Sequence, residues 1–578
     1  MTPNPLFGDR MPVWAELDEL LGKPEFDPNL TGVNATYQRL RAFGGVLGPA
    51  REVHRAPERL LAGMEWAGIV DPTLMHAAMV HYGVATTALV ECGHPNEDLD
   101  RLTADLDAMT APGVIVSTEL GRGSSQSTTR TEARYGREAG TFTLHTPDDA
   151  ALKIMPNAGW TGLARVAVVN ARLVVDGADH GVHAFAVRLP HPRVDIATVP
   201  GGAPMPLDYS VIRFDHAELP YGCWLADNAE ITSTGAYDPL TPQQRLGRSL
   251  GGVNAAVASA AVALAAAARA TAAITTRFTT QRLVGDPGTP VLRLAPHRAE
   301  LASAIAQVYA ITCYADRVGH EFVDERLNHT SGAARGAGAT RYAPWLAGDA
   351  DRTLAKVAAA TTLETVAATC RRLCGCHGVL HTNRISVYED MAKSFHAAGG
   401  DSRLLLLEAG KRLLAGTDAP AVPGAVGIDT PDARSTLRLA SLHERVLADQ
   451  LRNHVDLDDP GRYLPSIEQL ARVHLVRRTL QVFDEAVTGC DPWHGMLDAA
   501  RHLYGIDTLL DSAAWHLNHG SLRPGDVDVL RAARVTAVEN VIEHLGRLVD
   551  GLAVPPGRAG GYIGREDYIG RVASLLGR

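Results

Sequence analysis

Lysine is scarce in this chain of 578 residues: Lys23, Lys153, Lys356, Lys393 and Lys411 are five among 55 basic residues. The rest are arginine, which with heavy use of Ala and Gly is the composition of a high-GC bacterial genome. Acidic residues number 65, giving a formal charge of −10 and no basic footprint for a phosphate backbone, so no nucleic-acid partner is expected. Cysteine is sparse as well. Seven residues, an odd number with Cys370, Cys374 and Cys376 inside one heptad, do not make a secreted disulfide framework. The opening "MTPNPLFGDRMPVWAEL" lacks a basic region followed by an apolar one, and the closing "SLLGR" is not a peroxisomal address. The longest apolar run, 255–274, is mostly alanine and carries Arg269, so it reads as a buried bundle helix and not a membrane span. The expected location is the cytoplasm.

With 46% hydrophobic and 21% charged residues the chain is of soluble globular type, long enough for two to four structural units. Residues 1–112 are helical in pattern; "DPTLMHAAMVHYGVATTALVECG" is apolar around most of its circumference, as in a helix packed between others. From 113 to 228 short β-branched runs broken by Gly, Pro and Asp predict an antiparallel barrel or sandwich. Helices return over 238–415, where Thr241, Pro242 and Gln244 form an N-cap, first-turn proline and capping box for one long helix closed by Gly285 and Pro287. A Pro- and Gly-rich stretch at 416–435 reads as a linker, and 436–578 as a further helical domain. The fold class expected is α+β multidomain: helical domain, antiparallel β domain, helical bundle, C-terminal helical domain.

"STELGRGSSQSTTRTEARYGREAGTFTLHTPDDAALKIMPNAGW" resembles the acyl-CoA oxidases, flavoproteins of the acyl-CoA dehydrogenase superfamily. Thr118, Glu119, Gly121, Gly123, Tyr135, Phe142, Pro147, Lys153 and Pro156 match that family's pattern at its spacing without a gap. "DHGVHAFAVRL" continues the match, "CGCHG" resembles its Cys-Gly-Gly-His-Gly, and the helical tail matches its extra C-terminal domain in length. The resemblance implies FAD held between β domain and bundle. Thr118 would stand at the flavin N5 edge, with Gly121 and Gly123 letting the chain approach a flat ring. Asn157 occupies the position of a flavin-approaching glycine. Arg277 and Arg282 lie near the family's pyrophosphate-binding segment, where paired guanidinium donors suit a diphosphate; two solvated arginines at a helix end is the alternative. Gly375 and Gly378 would belong to a turn against the adenine side. That turn also answers a metal reading of Cys370, Cys374, Cys376, His377 and His381, because no second pair of closely spaced cysteines exists in the chain.

The departures are chemical. The family's base is a glutamate whose position, counted from Gly378 or back from "LLLL", is Gly399, and glycine accepts no proton. Some relatives carry the glutamate at the start of the long bundle helix, near Gln244, an amide. The nearest carboxylate is Asp401, either the N-cap of "SRLLLLEAGKRLL" or a substitute base. The family's Trp-Trp is Ile154-Met155. Three functions remain open: an FAD-dependent oxidoreductase acting on an atypical acyl thioester or related small substrate with O2 as acceptor, a flavin-dependent monooxygenase, and a non-catalytic partner subunit. A homodimer built from the helical regions after residue 240 is expected.

Overall fold

The computed structural model describes residues 6–577 apart from 161, 201–204, 329–348, 416–430, 455–459 and 489–492. Seven helices come first: α1 (Met11–Asp18), α2 (Val33–Leu47), α3 (Ala50–Arg55), α4 (Pro57–Val70), α5 (Pro72–Ala78), α6 (Thr87–Cys92) and α7 (Glu97–Asp107). The all-round apolar segment is buried as its composition requires. Between α5 and α6, however, it widens into a π-helical stretch, Met79–Thr86. His81 in that stretch accepts from the Gly113 amide at 3.0 Å, tying the helical domain to the first strand.

The β domain holds β1 (Gly113–Val116), β2 (Glu132–Gly136), β3 (Thr141–His145), β4 (Lys153–Asn157), β5 (Arg165–Val175), β6 (Ala178–Leu189), β7 (Val194–Thr198), β8 (Tyr209–Phe214), β9 (Ala217–Pro220) and β10 (Trp224–Leu225). One sheet runs β10-β6-β5-β2-β3-β9 with β1 also on β5; the other runs β4-β8-β7. The expected antiparallel domain therefore needs a correction, since β1 and β2 both pair with β5 in parallel. At eleven residues β5 is long enough to carry the two strands one after the other, β1 on Val166–Val169 and β2 on Arg172–Val174. Local alternation reports which face is buried and carries no sign of strand direction.

The bundle comprises α8 (Pro242–Ser249), α9 (Val253–Gln281), α10 (Ala295–Leu327), α11 (Ala350–Leu373), α12 (Ile385–Phe395) and α13 (Ser402–Ala415). The Thr241–Gln244 capping box is present, with the Thr241 amide donating to Gln244 Oε1 at 2.9 Å. The single long helix it was expected to open is two helices. They part at Gly251-Gly252, where a Cβ on Gly252 would stand 2.6 Å from the Val84 carbonyl oxygen, so the backbones touch and only glycine fits. α9 is long and apolar enough to cross a membrane by composition alone, yet its apolar window lies wholly inside the molecule against α4, α10 and α11. Alanine on nearly every face permits this: a Cβ on Gly68 of α4 would already meet the Ala263 carbonyl at 2.8 Å.

C-terminally come α14 (Ala433–His454), α15 (Pro460–Thr488), α16 (His494–Asp511), α17 (Ala513–Asn518), α18 (Pro524–Glu543) and α19 (Leu545–Gly551). They dock on α10 and α11 through buried polar contacts as well as apolar area. Tyr309 donates to the Leu548 carbonyl at 2.6 Å, and Asp351 accepts from Tyr314 and Arg478 at 2.6 and 2.8 Å. Most of the linker expected at 416–435 falls outside the described residues.

Candidate active site

The loop carrying Thr118 is held by a buried ion pair. Glu119, 3% exposed, lies 3.1 Å from Lys153 Nζ and accepts from the Arg130 amide and from the amide and hydroxyl of Thr131. Lys153 is fully enclosed and also donates to the Ser117 and Asn170 carbonyls at 3.0 and 2.8 Å. Burial pushes the Glu119 carboxyl up, but Lys153 and the amide donors outweigh it and hold it below the usual range. Lys153 is pushed down to about 8 by burial, Glu119 offsetting part of the fall. The Thr118 carbonyl accepts from Ile154 at 3.0 Å and Leu120 donates to Leu152 at 2.8 Å, so the loop is fixed on both sides of the half-buried Thr118.

The two glycines after it do not share one task. A Cβ on Gly121 would meet Ala150 at 2.8 Å, so Gly121 serves close packing inside the β domain, whereas nothing lies within 4 Å of the same position on Gly123. Beside this loop Met155 adopts φ +66 and is 54% exposed, as Leu120 is at 52%. Two bare apolar side chains thus flank Thr118.

Asn157 ends β4 at a polar junction. Its carbonyl accepts from Arg165 Nε at 3.2 Å, and Arg165 pairs with the buried Asp208 at 2.9 Å. Its side-chain Nδ2 is buried with no hydrogen-bond partner, and so is Nδ1 of His76 on α5. The His76 ring meets Phe395 of α12 edge-on at 5.8 Å. Burial pushes this imidazole down to about 4, with the neighbouring Asn157 side chain opposing only in part, so it is neutral at physiological pH. Nothing in the sequence pattern marks His76; only the fold brings α5, β4 and α12 together.

The turn at Gly399-Gly400 is left-handed twice over, with φ +69 at Gly399 and +99 at Gly400. Lys356 of α11, fully buried, donates to the Gly400 carbonyl at 2.9 Å, and a Cβ on Gly399 would stand 3.7 Å from Lys356 Cε. Burial pushes Lys356 down to about 7 against an opposing pull from Asp401. The unfolded chain then binds more protons than the fold between about pH 7 and the ordinary lysine value of 10.5, so this residue makes stability rise with pH across that window. In Lys356→Met that contribution is lost, by up to about 1.4 kcal/mol per pH unit. Chemical denaturation of wild type and variant at two pH values inside the window measures it.

Asp401 is a cap. Its Oδ1 accepts from the Arg403 and Leu404 amides at 3.0 and 3.1 Å, the first-turn donors of α13. Asp401→Asn, which keeps the acceptor, is expected to leave stability within a few tenths of a kcal/mol and activity unchanged, while Asp401→Ala costs about 1 kcal/mol. A denaturation curve and a turnover assay on the pair check this.

The remaining residues of interest sort by position. Gly378 cannot be replaced, because a Cβ there would stand 2.4 Å from the Arg371 carbonyl oxygen. A Cβ on Gly375, at φ +58, would stand 3.6 Å from the Arg282 guanidinium, which donates to the Leu373 carbonyl at 3.1 Å, so structure unites the two segments that sequence treated separately. Arg277 instead donates to the Val554 carbonyl at 2.6 Å, its other terminal nitrogen Nη1 buried without a partner. Of the cysteines and histidines beside them, Cys374 turns inward to Thr275, Cys376 is exposed and His377 pairs with the Tyr562 hydroxyl at 2.9 Å. Their side chains diverge. Gln244 is engaged in its capping box.

Known proteins share this fold. The family pattern described as "Acyl-CoA oxidase, C-alpha1 domain" matches residues 253–414, the stretch that carries Arg282, Gly375 and the Gly399 turn. The chain belongs to the acyl-CoA oxidase/dehydrogenase superfamily. Human peroxisomal acyl-coenzyme A oxidase 3 is 28% identical over 382 residues, covering 63% of this chain and 53% of that one, so the match spans about half the length of the relative. Acyl-CoA oxidase 1 of Yarrowia lipolytica superposes with a TM-score of 0.78 at 17% identity, covering 100% of this chain and 91% of that structure. Acyl-CoA oxidase-1 of Caenorhabditis elegans, solved with FAD and ATP, superposes at 0.75 with 18% identity, covering 98% and 91%. The oxidase fold thus extends over all four parts of this superfamily member.

Proposed function

We propose that the chain is an FAD-dependent oxidoreductase of acyl-CoA oxidase type, acting in bacterial metabolism on an atypical acyl thioester or related small substrate without the usual glutamate base. The observation that carries this reading is the rigid Thr118 loop. A buried Glu119–Lys153 pair holds it beside two exposed apolar side chains and the unpartnered Asn157 Nδ2. Leu120 and Met155 offer apolar surface to a flat ring, Asn157 offers a donor to a polar ring edge, and the Arg282 guanidinium at Gly375 suits a phosphate. The residues present therefore fit the group, with Thr118, Asn157, Arg282 and Gly375 as its holders. FAD bound there supplies hydride acceptance, and O2 is the final acceptor.

This chain's own groups would orient the substrate. Gly399 and Gly400 leave the turn free of side chains, making room for a bulky acyl group. The active unit is a cytoplasmic homodimer, a reading supported by the exposed Leu283, Leu294, Val379 and Leu380 on and beside the segments that carry Arg282 and Gly378. Purified protein is expected to carry flavin absorbance or gain it on reconstitution with FAD. Failure of FAD to bind under either condition would sink the proposal.

A further inference from the structure

Three side chains at the Gly399–Gly400 turn form an unbroken series. Ser402 Oγ lies 3.2 Å from His396 Nδ1, and His396 Nε2 lies 3.0 Å from Glu364 Oε2 on α11. An ionised carboxylate only accepts, so Nε2 carries the proton toward Glu364, and Nδ1 presents its lone pair to the serine hydroxyl. The imidazole is thereby set to take the serine proton.

The backbone places this series at the mouth of the turn. The Ser402 amide donates to the His396 carbonyl at 2.8 Å, closing a loop over 397–401 whose tip is Gly399-Gly400. α11 supports it at two points, Lys356 at the tip and Glu364 at the base, eight residues or about 12 Å apart along the helix. Exposure rises along the series: Ser402 is 9% exposed, the His396 side chain 31% and that of Glu364 43%. One end lies in the interior at the foot of the Gly399-Gly400 turn and the other reaches water. The other polar groups of the turn are committed, Asp401 to capping and Lys356 to the Gly400 carbonyl.

We propose that Ser402, His396 and Glu364 form a proton relay that takes the acidic proton of the substrate in place of the carboxylate missing at position 399. This inference rests on the acyl-thioester reading above. The Cα–H bond breaks with its electron pair left on the substrate as an enolate. The proton passes to Ser402 Oγ while the serine proton passes to His396 Nδ1, and the Nε2 proton leaves through Glu364 to water. Nothing is oxidised in this step, and run backwards it returns a solvent proton to Cα.

Reversal provides the test. Protein as isolated is incubated without oxygen in D2O with butanoyl-, octanoyl- or palmitoyl-CoA, and deuterium at the acyl α-carbon is measured by mass spectrometry alongside the flavin spectrum. Wild type is expected to exchange with at least one of the three. Ser402→Ala and His396→Ala are expected to slow exchange by about 100-fold or more, the usual range for a lost acid–base group, and Glu364→Gln by about tenfold. Imidazole in the buffer should restore part of the rate in His396→Ala, which a packing role would not produce. Glu364→Gln alters a partly exposed side chain and reports even where the other variants fold poorly. Exchange at the wild-type rate in Ser402→Ala and His396→Ala, with the flavin still reduced, overturns the relay and leaves the oxidoreductase reading intact. Exchange that depends on the three residues while the flavin never bleaches upholds the relay and overturns that reading. Wild-type protein that neither exchanges nor bleaches overturns both.

Discussion

Replacing Glu119 by alanine is expected to lower stability by about 3–5 kcal/mol and to abolish FAD binding at concentrations that saturate the wild type. Two consequences add. Lys153 would remain enclosed as an unpaired cation, and the Arg130 amide and both Thr131 donors would lose their acceptor. Burial alone pushes Lys153 down and Glu119 is what holds its value up at about 8, so without Glu119 the amine sheds its proton below that value and the penalty is expected to shrink as pH rises toward about 8. Glu119→Gln/Lys153→Met, which removes both charges, should be milder than Glu119→Ala alone. Denaturation at two pH values, with FAD titrations on the same samples, measures all of this. A Glu119→Ala protein as stable as wild type at neutral pH would show that the pair does not hold the Thr118 loop.

Glu65→Ala is expected to cost a comparable amount, about 3–5 kcal/mol, through a different part of the molecule. Glu65 is buried on α4 between Arg10 at 2.9 Å and Arg269 of α9 at 3.1 Å. Burial pushes its carboxyl above the usual range, and the two guanidinium groups offset only part of that rise. Arg269, wholly enclosed in the alanine-rich helix, also donates to the Leu552 carbonyl at 3.1 Å and lies 4.1 Å from the centre of the Phe7 ring. One carboxylate therefore ties the N-terminal segment, the central bundle helix and the C-terminal domain together. Its loss leaves two buried cations facing each other, so limited proteolysis should cut the variant near its N-terminus before the wild type. Glu65→Gln is expected to lie between the two, since an amide oxygen still accepts one hydrogen bond.

Some of this was legible in sequence because it is local. The Thr241 capping box, the cap at Asp401 and the alternating runs of the β domain depend on residues within a few positions of each other, and the structure contains them. The break at Gly251-Gly252 was not legible, because its cause is the Val84 backbone some 170 residues earlier in the chain. Parallel placement of β1 and β2 depends on the length of β5, which no local pattern encodes. Gly121 looked like a ring-approach glycine and packs on Ala150 instead, since sequence shows that a side chain is absent and not what occupies its place. At the site itself, Lys356 lies 44 residues from Gly400 and Glu364 lies 32 from His396, so their meeting is decided by how α11 and α12 pack. Arginine in an alanine-rich run was visible, but its partner Glu65 was not, being 204 positions away.

The account stands most directly on whether an acyl thioester delivers electrons to a flavin held by the Thr118 loop. The decisive measurement is anaerobic titration of the FAD-loaded protein with a series of acyl-CoA thioesters, followed in the visible spectrum. The account predicts that at least one thioester bleaches the flavin, that air restores the colour, and that Glu119→Ala shows neither effect. A protein that binds FAD firmly yet shows no bleaching with any acyl thioester would contradict it.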